Sequence, residues 1–533
     1  MIKLGSNILK YIFIIIVIIL IGFGAYKMLK NEKEVNNESI DQTSTVNTIQ
    51  TDLRFAICNF DTLNPLLTNN RNVQEITKVV FEPLVTLNEN YKLQYCLATE
   101  IAKSDNTNYV IKLRKDVKWQ DGSDFTADDV KFTIDTILGG GINTTYINNL
   151  KSVNYLEKID DYTVKLGLSE PVDFFEYNLT FPIMSHKYYE NEDFSNTEKN
   201  TAPIGTGAFK ISNTDSNVIK LSKNEDYWDS SKKIMAKEIN INLYNSAGEM
   251  YNAFKNGEID IVDVKIPDVE NYIGSIGYKK IEYKTRDYDF LALNTSNPVL
   301  SDTAVRKALS KILDKNNIVA SCLGSGFVPS NFSLDMGNWL YTKDLNIEPN
   351  IDEAKQILLQ AGWEYRNNKW QKVIDGKNTE LAFAITVNGN NQTRINVGQN
   401  IVNQLANAGI AAYVKQENNE TYLSSIENKN YDILLTGISC SFSPSLKTFF
   451  GEGNLANYSN EQITEIMNIV SNTSDENVLY ENYKKIFDIY LDEVPYIGLY
   501  RATDVVIYNQ SLVGNIKANA FNLYYNIEKW YRQ

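Results

Sequence analysis

Histidine and cysteine are scarce in this 533-residue chain, which contains one histidine and four cysteines. A single histidine cannot build a multi-histidine metal site, and a Ser-His-Asp triad would depend on that one residue. No two cysteines are close enough for a CxxC pair, which argues against a zinc ribbon or a thioredoxin-type motif. We expect buried, unpaired thiols, with one or two disulfides as the alternative if the chain is exported. The cysteines are Cys58, Cys96, Cys322 and Cys440.

The single histidine, His186, lies in a turn-like segment that follows an apolar run. A structural role is the simplest interpretation, and contact with a bound metal complex is the alternative. The sequence also lacks the GxSxG and HExxH signatures of hydrolases, and its Gly-rich turns lack the lysine of a phosphate-binding loop. We therefore predict no catalytic residue, no metal site and no cofactor, so an exported hydrolase is the least favoured function.

Positive charge is also limited, since 52 Lys and Arg residues stand against 66 Asp and Glu residues and the net charge is −14. Nucleic-acid binding requires clustered Lys and Arg that neutralise phosphates, so this balance argues against a nucleic-acid partner. Hydrophobic residues make up 43% of the chain, which is ordinary for a globular protein. A chain of this length should form more than one domain.

Near the N-terminus, residues 11–26 form an apolar run that carries no charge and is flanked by lysines on both sides. Its length approaches the roughly 20 residues of a membrane-spanning helix and exceeds most signal-peptide cores. We predict an uncleaved signal anchor within residues 1–30, with a cleaved signal peptide as the alternative. Residues 31–51 are polar and are predicted to form a flexible tether.

From residue 52 onward, strand-like runs alternate with helical patterns, which predicts an α/β or mixed α+β fold. The clearest unit spans residues 111–135, where a strand leads through a Trp-Gln-Asp-Gly turn into a helix. Thr126 is suited to cap this helix, and Asp129 stands three residues later, as a capping box requires. Trp119 is expected in the core of the unit. These residues predict a strand–turn–helix unit with a structural role, and they indicate no catalytic chemistry.

Six segments of the chain resemble, in the same order, the signatures of the family 5 extracellular solute-binding proteins, the peptide- and nickel-binding receptors of ABC importers. One such segment is weak evidence for the family, because PIGTG alone indicates only a turn. Six segments in the same order are specific evidence. The segments are residues 62–65, 117–135, 203–210, 294–315, 354–363 and 399–410.

The resemblance implies a two-lobed clam shell, as in periplasmic binding proteins of type II, that closes on its ligand by bending at hinge strands near 288–294 and 494–500. It also implies an ABC permease and ATPase as partners, and a monomeric binding domain held outside the cytoplasm by its N-terminal helix. The implied boundaries are 52–88, 201–294 and 495–533 for lobe I, 89–200 for an extra subdomain of lobe I, and 295–494 for lobe II.

Peptide-binding members of this family present one strand from each lobe to the main chain of the ligand, and such pairing gives affinity without reading side chains. The resemblance places these strands at two short segments of this chain. They are Asn69, Asn70 and Arg71 in the first lobe and Gly437, Ile438 and Ser439 in the second.

The family's clamps for free peptide ends are not found where the resemblance places them. Dipeptide and oligopeptide receptors carry an aspartate just after the second strand, where it pairs with the α-ammonium group of the peptide. The matching residue here is Ser441, so this charge-assisted contact is missing. Positions that hold an arginine for the peptide carboxylate in some members correspond to Ile426, Leu435 and Val387.

Three arginines, Arg71, Arg286 and Arg394, are candidate anchors for an anionic group, with a surface position or a structural salt bridge as the alternative for each. Three interpretations of the ligand stay open. In the first, the ligand is a longer peptide whose ends are not bound. In the second, the ligand is another compound, such as a blocked peptide, glycan or metal chelate. In the third, transport has been lost and the fold serves as a membrane-anchored sensor or assembly receptor.

Overall fold

The computed structural model describes residues 49–215, 217–274 and 277–533. The predicted anchor, residues 1–30, lies outside the described residues, as does the predicted tether apart from residues 49–51. Within the described ranges, no helix combines the length and the apolar character needed to cross a membrane.

Short strands occur along the whole described chain, as the alternating runs of the sequence predict. Two of them, β12 and β20, are much longer than the others. The strands are β1 Asp52–Cys58, β2 Val85–Leu87, β3 Leu93–Tyr95, β4 Ala98–Lys103, β5 Asn108–Leu113, β6 Val153–Asp160, β7 Thr163–Leu168, β8 Phe209–Thr214, β9 Val218–Lys223, β10 Glu238–Tyr244, β11 Ile261–Lys265, β12 Tyr278–Leu293, β13 Phe327–Pro329, β14 Glu364–Arg366, β15 Lys369–Ile374, β16 Lys377–Glu380, β17 Ala382–Asn388, β18 Ala411–Glu417, β19 Ile433–Ser439, β20 Tyr496–Asn509, β21 Leu512–Val513 and β22 Tyr531–Arg532.

Most α-helices begin at an Asn, Asp, Ser or Thr whose side chain accepts a hydrogen bond from an N–H of the first turn. Such caps satisfy main-chain donors that have no partner inside the helix. The helices are α1 Arg71–Thr77, α2 Ala127–Leu138, α3 Ile147–Leu150, α4 His186–Tyr189, α5 Ala247–Lys255, α6 Val269–Tyr272, α7 Thr303–Ile312, α8 Lys315–Cys322, α9 Ile351–Gln360, α10 Gln392–Asn407, α11 Asn419–Glu427, α12 Lys447–Phe450, α13 Glu461–Ser471 and α14 Glu476–Glu493.

The three largest of the six sheets organise the described chain. One has the strand order β1-β10-β9-β8, and a second, entirely antiparallel sheet has the order β4-β5-β7-β6. The third has the order β11-β20-β12-β19-β17-β18, with β13 also paired to β20. Parallel and antiparallel pairs occur together in the first and third sheets, so the predicted mixed α/β class is confirmed.

The long strands β12 and β20 pair with each other and join two bodies, each with its own hydrophobic core. Tyr283 of β12 and Val506 of β20 pack in the same core as Leu53, which we call lobe I. Leu291 of β12 and Ile497 of β20 pack in a separate core, which we call lobe II. Most of each expected hinge segment, residues 288–293 and 496–500, lies in these two strands. Their role as hinges and the residue limits of the lobes stay predictions.

The strand–turn–helix unit that the sequence predicts is confirmed. Thr126 caps α2, and the Asp129 carboxylate accepts the N–H of Thr126 at 2.8 Å, which completes the capping box. The same carboxylate accepts the indole N–H of Trp119 at 3.1 Å and the main-chain N–H of His186 at 2.8 Å. Burial raises the pKa of Asp129. This carboxylate is scaffold, because its hydrogen bonds join the turn to α2 and α4.

Candidate ligand-binding cleft

Two adjoining cavities lie where side chains of lobe I face side chains of lobe II. The larger has a volume of about 480 Å³ and the smaller of about 410 Å³. Asn178, Ser441 and Ser443 line both, so the cavities adjoin, and we call the two together the cleft. Volumes of this size are typical of small-ligand sites, which often lie between domains.

The end of β19 carries main-chain groups that no described strand pairs with. β12 lies beside β19 along its whole length, whereas β17 pairs with only the first two residues of β19. The N–H of Cys440 donates to the carbonyl of Arg286 on β12 at 2.8 Å. Main-chain groups point to alternate sides along an antiparallel strand, so those of Gly437 and Ser439 point away from β12. They form an unpaired strand edge.

The residues predicted in lobe II lie at this edge or next to it. Ser439 and Ser441 line the larger cavity, and Ile438 and Ser441 line the smaller one. Gly437 lines neither cavity. Ser441 is exposed, and its hydroxyl accepts the N–H of Ser443 at 3.0 Å, so the loop after β19 is held by its own hydrogen bonds.

Gly437 is required by an ion pair that lies against the strand. Asp289 of β12 accepts two hydrogen bonds from Arg394, at 2.7 and 3.1 Å, and one from the Tyr500 hydroxyl at 2.6 Å. A Cβ atom at position 437 would overlap both the carboxylate and the guanidinium. Burial opposes the charge of Arg394, but the Asp289 carboxylate outweighs it and raises the pKa of Arg394.

The predicted role of Arg394 as a ligand anchor is therefore not supported by its position. Its side chain is 20% exposed and its charge is already paired. It also lines neither cavity of the cleft. A structural salt bridge, the alternative that the sequence leaves open, describes the residue.

The expected strand at residues 69–71 is wrong. Asn70 is the N-cap of α1, where its side chain accepts the N–H of Asn72 and donates to the carbonyl of Cys58 at 2.8 Å. Arg71 is the first residue of α1, and Asn69 lies in the exposed loop before the cap. Of the three predicted residues, only Arg71 lines the cleft, so lobe I presents a helix end there.

Arg71 belongs to a cluster of charges on the lobe I side of the larger cavity. Its guanidinium donates to the Tyr283 hydroxyl at 3.0 Å and lies 3.7 Å from Asp263 and 3.6 Å from Asp504. Lys265 contacts Asp504 at 2.8 Å. Burial raises the pKa of Asp263 to about 6, although Arg71 and the Tyr283 hydroxyl act in the opposite direction. Arg71 is thus shared between two carboxylates.

Arg286 differs from the other two predicted arginines because no carboxylate of the described chain lies within ion-pair distance of it. Its Nε donates to the carbonyl of Cys440, and its guanidinium lies 5.0 Å from the centre of the Phe442 ring. Burial lowers the pKa of Arg286. The side chain lines the larger cavity, so it is a cationic group on the lobe II wall.

Two of the cleft residues that sequence reasoning missed lie in lobe II, on or beside its binding wall. Asp287 lines the larger cavity beside Arg286, and Phe442 lines it after the unpaired edge of β19. The Phe442 ring packs 5.5 Å from Tyr91 and 5.3 Å from Phe521. Phe442 follows Ser441 directly, and this position could have indicated that it lies in the cleft. Asp287 lies in the cleft because of the register between β12 and β19, which the sequence does not reveal.

The positions where some family members hold an arginine are apolar and lie outside the cleft. Leu435 and Val387 are buried in the core of lobe II, and Ile426 packs against the neighbouring core of the same lobe. None of the three lines the cleft. An arginine for a peptide carboxylate is therefore not supplied from these positions.

The histidine and the cysteines have structural positions. The His186 ring packs 5.6 Å from Phe132 at the start of α4. No disulfide links the four cysteines, all of which lie in described parts of the chain. Cys96 and Cys440 are buried as expected, whereas Cys58 and Cys322 are partly exposed. The described residues also contain no group of three or more His, Cys, Asp or Glu side chains that could hold a metal ion.

Known proteins of similar sequence match most of this chain. The family model for bacterial extracellular solute-binding proteins, family 5 Middle, matches residues 92–456. The oligopeptide-binding protein AppA of Bacillus subtilis is 26% identical over 498 residues, which cover 88% of this chain and 89% of that protein.

Solved structures share the fold. The periplasmic murein tripeptide binding protein MppA, in an unliganded open form, matches with a TM-score of 0.73 at 19% identity, covering 91% of this chain and 97% of that one. A nickel ABC transporter protein from Bacillus halodurans matches with a TM-score of 0.73 at 21% identity, covering 90% and 100%. The structures thus share the fold, and the match of the family model over residues 92–456 shows that the chain belongs to the bacterial extracellular solute-binding proteins, family 5.

Proposed function

We propose that this protein is the substrate-binding component of an ABC importer and that it binds peptides in the cleft. It performs no covalent chemistry. Closure of the lobes buries the peptide and forms the surface that the permease, driven by its ATPase, recognises. The binding domain acts as a monomer outside the cytoplasm, and the apolar run at residues 11–26 anchors it to the membrane.

The observation that carries this proposal is the unpaired edge of β19. A peptide in extended conformation can add to such an edge as a further strand, and its main chain then hydrogen-bonds to Gly437 and Ser439. Neither contact depends on the side chains of the ligand. The three serines that follow, at positions 439, 441 and 443, give this wall a polar but uncharged surface.

Contacts between the lobes support closure as the binding motion. The N–H of Trp339 in lobe II donates to the carbonyl of Asn90 in lobe I at 3.0 Å, and its indole N–H donates to the Tyr177 hydroxyl at 3.2 Å. Lys92 lies 5.3 Å from the centre of the Trp339 ring. Hinge bending at β12 and β20 would make and break these contacts as a group.

The relatives include proteins named for peptides and proteins named for nickel, so similarity alone does not decide which ligand this chain binds. AppA of Bacillus subtilis is named an oligopeptide-binding protein, whereas the relative from Bacillus halodurans is a nickel transporter protein. For this chain, a strand edge beside the cleft favours a peptide, because an edge of main-chain donors and acceptors matches an extended main chain.

The test measures thermal stability with peptides of graded length, with glycans and with a nickel–histidine chelate. A ligand at a hundredfold excess over its dissociation constant should add about 2.7 kcal/mol to the free energy of unfolding. We expect only peptides to stabilise the protein. Stabilisation by a glycan or the chelate alone, or by none of these compounds, would contradict the proposal.

N-methylation of the best peptide, one amide at a time, tests the mode of binding. In an added strand every second main-chain N–H faces the edge of β19, and methylation removes that donor. Each lost hydrogen bond is worth about 1 kcal/mol, or roughly fivefold in affinity. Affinity should therefore alternate along the methylation series, and the intervening amides are the matched controls. A series without a two-residue period would exclude strand addition.

A further inference from the structure

A third cavity lies within lobe I, next to the cleft, and we call it the side pocket. Its volume is about 240 Å³. The residues that line both the side pocket and the larger cavity of the cleft are Gln74, Lys78, Tyr146, Thr180 and Phe521. Ser439 of the unpaired strand edge lines the same larger cavity. That cavity therefore joins the strand edge of lobe II to the side pocket of lobe I.

The walls of the side pocket are mainly apolar, and several of them are aromatic. The rings and aliphatic side chains come from separate segments of the chain, and they include Phe81, Leu87, Tyr146, Phe521, Tyr524 and Ile527. An apolar cavity of about 150 Å³ is large enough to hold benzene. The side pocket thus has the size and the walls that suit a single aromatic side chain.

Two tyrosine hydroxyl groups of the side pocket have no hydrogen-bond partner within the described chain. Tyr524 is only 8% exposed, and its ring stacks 4.9 Å from Phe55. Tyr146 lies where the side pocket meets the cleft. Burial raises the pKa of both tyrosines, so both hydroxyls keep their protons and can donate. Because an unpaired buried polar group is costly, these hydroxyls favour an occupant that carries a polar atom.

The buried carboxylate of the side pocket is already satisfied by the protein. Glu82 accepts three hydrogen bonds, and burial raises its pKa. The donors are the Thr206 hydroxyl at 2.8 Å, the Tyr227 hydroxyl at 2.7 Å and the Trp228 indole at 2.7 Å. Glu82 therefore offers little to a basic side chain. Lys232 and Glu528 also line the side pocket, so acidic and basic side chains are the competing occupants.

We propose that the side pocket binds one aromatic side chain of the peptide ligand and favours tyrosine or tryptophan, whose polar atom can pair with the hydroxyl of Tyr146 or Tyr524. The inference rests on the proposed function and deepens it. Strand addition at β19 accepts any sequence, whereas the side pocket selects one residue of that sequence. Burial of an aromatic side chain is worth roughly tenfold to a hundredfold in affinity.

The experiment titrates the full-length protein with alanine peptides that carry one tryptophan, tyrosine, phenylalanine, lysine or glutamate at each position in turn. At one position, the aromatic residues should bind roughly ten to a hundred times more tightly than alanine. Lysine and glutamate at that position should give no such gain. A gain from lysine or glutamate that equals the aromatic one would overturn the inference.

Thr180→Trp places an indole ring between the cleft and the side pocket. It should lower the affinity for the aromatic peptides to that for the all-alanine peptide. Thr464→Trp is the matched control and should keep the wild-type preference. Thr464 is exposed and lines neither cavity, and its hydroxyl, like that of Thr180, donates to a main-chain carbonyl at 3.1 Å.

A second variant tests the hydroxyl groups without filling the side pocket. Tyr146→Phe combined with Tyr524→Phe removes both hydroxyls, and it should preserve the fold because neither has a protein partner. The tyrosine and tryptophan peptides should lose roughly fivefold in affinity relative to the phenylalanine peptide. An unchanged ratio would overturn the preference for a polar ring.

Titration with p-cresol, the free analogue of the tyrosine side chain, separates a peptide side chain from a free aromatic compound. It should bind at least a hundredfold more weakly than the tyrosine peptide, because it lacks a main chain to pair with β19. Equal affinity would overturn the inference in favour of a free aromatic ligand. Equal binding of aromatic and alanine peptides, or an aromatic preference that survives Thr180→Trp, would overturn it while leaving peptide binding intact. If no peptide binds the wild type, the proposed function fails and this inference falls with it.

Discussion

Asp263 belongs to the cluster of charges around Arg71 on the lobe I side of the cleft. Its carboxylate accepts the Tyr283 hydroxyl at 2.7 Å and lies near Arg71 and Asp504. Burial raises its pKa from 3.8 to about 6. Between these values the folded protein holds a proton that the unfolded chain has released, so this group favours the folded state at low pH and loses that effect as pH rises through 6.

Asp263→Asn should therefore change how stability depends on pH. Raising the pKa of Asp263 from 3.8 to about 6 corresponds to roughly 3 kcal/mol. Relative to the variant, the wild type should lose up to that amount of unfolding free energy between pH 4 and pH 7, measured by urea denaturation. Glu270→Gln, an exposed carboxylate in α6, is the control for loss of one charge. Parallel curves for the wild type and Asp263→Asn would contradict the proposed burial effect.

At the scale of elements, the end of β19 is fixed by its packing under the Asp289–Arg394 ion pair. Gly437→Ala should push this pair away from the strand, because the new Cβ has no space. Overpacking of this kind costs about 1 to 3 kcal/mol, measurable as a lower midpoint of chemical denaturation. Peptide affinity should fall as well, since Gly437 forms part of the proposed binding edge.

Gly141→Ala is the matched control for this substitution. Gly141 has no atom within 4 Å of an added Cβ, so stability should change by no more than about 0.5 kcal/mol. If Gly437→Ala also leaves the stability unchanged, the ion pair moves freely and does not constrain the strand edge.

The sequence predicts well those elements whose signals are local. The cap at Thr126 with Asp129 follows from residue types three positions apart, and the structure has both hydrogen bonds. The same capping rule predicts a helix start at Asn70, not the strand expected at residues 69–71. Asn70 followed by helical spacing from Val73 indicates an N-cap and a helix, and local capping prevailed over the position suggested by the family pattern.

Contacts made by long-range register could not be predicted in this way. Arg394 and Asp289 are 105 residues apart, and their pairing depends on α10 packing over the third sheet. The position of Asp287 beside Ser439 likewise depends on which residue of β12 faces which residue of β19. A shift of one residue would turn Asp287 to the other face, so only the structure assigns it to the cleft.

At the scale of the whole molecule, ligand binding depends on the balance between open and closed lobes. Trp339 makes three contacts between them, to the Asn90 carbonyl, the Tyr177 hydroxyl and the Lys92 ammonium group. Lys92 also pairs with Glu476 of lobe II at 2.6 Å. An exposed ion pair of this type contributes little to stability, so we expect the indole to contribute more to closure than the pair does.

Trp339→Ala should shift the lobes towards an open arrangement. Truncating a central tryptophan of an interface costs at least about 2 kcal/mol, which changes the ratio of closed to open molecules by roughly thirtyfold. The radius of gyration measured by small-angle scattering should then exceed the value of about 24 Å expected for a compact chain of this size. Peptide affinity should fall in proportion to the lost closed population.

Tyr413→Ala, which removes an exposed aromatic ring from β18 of lobe II, should leave both the radius of gyration and the peptide affinity unchanged. Identical scattering by the wild type and Trp339→Ala would mean that the contacts around the indole contribute nothing to closure.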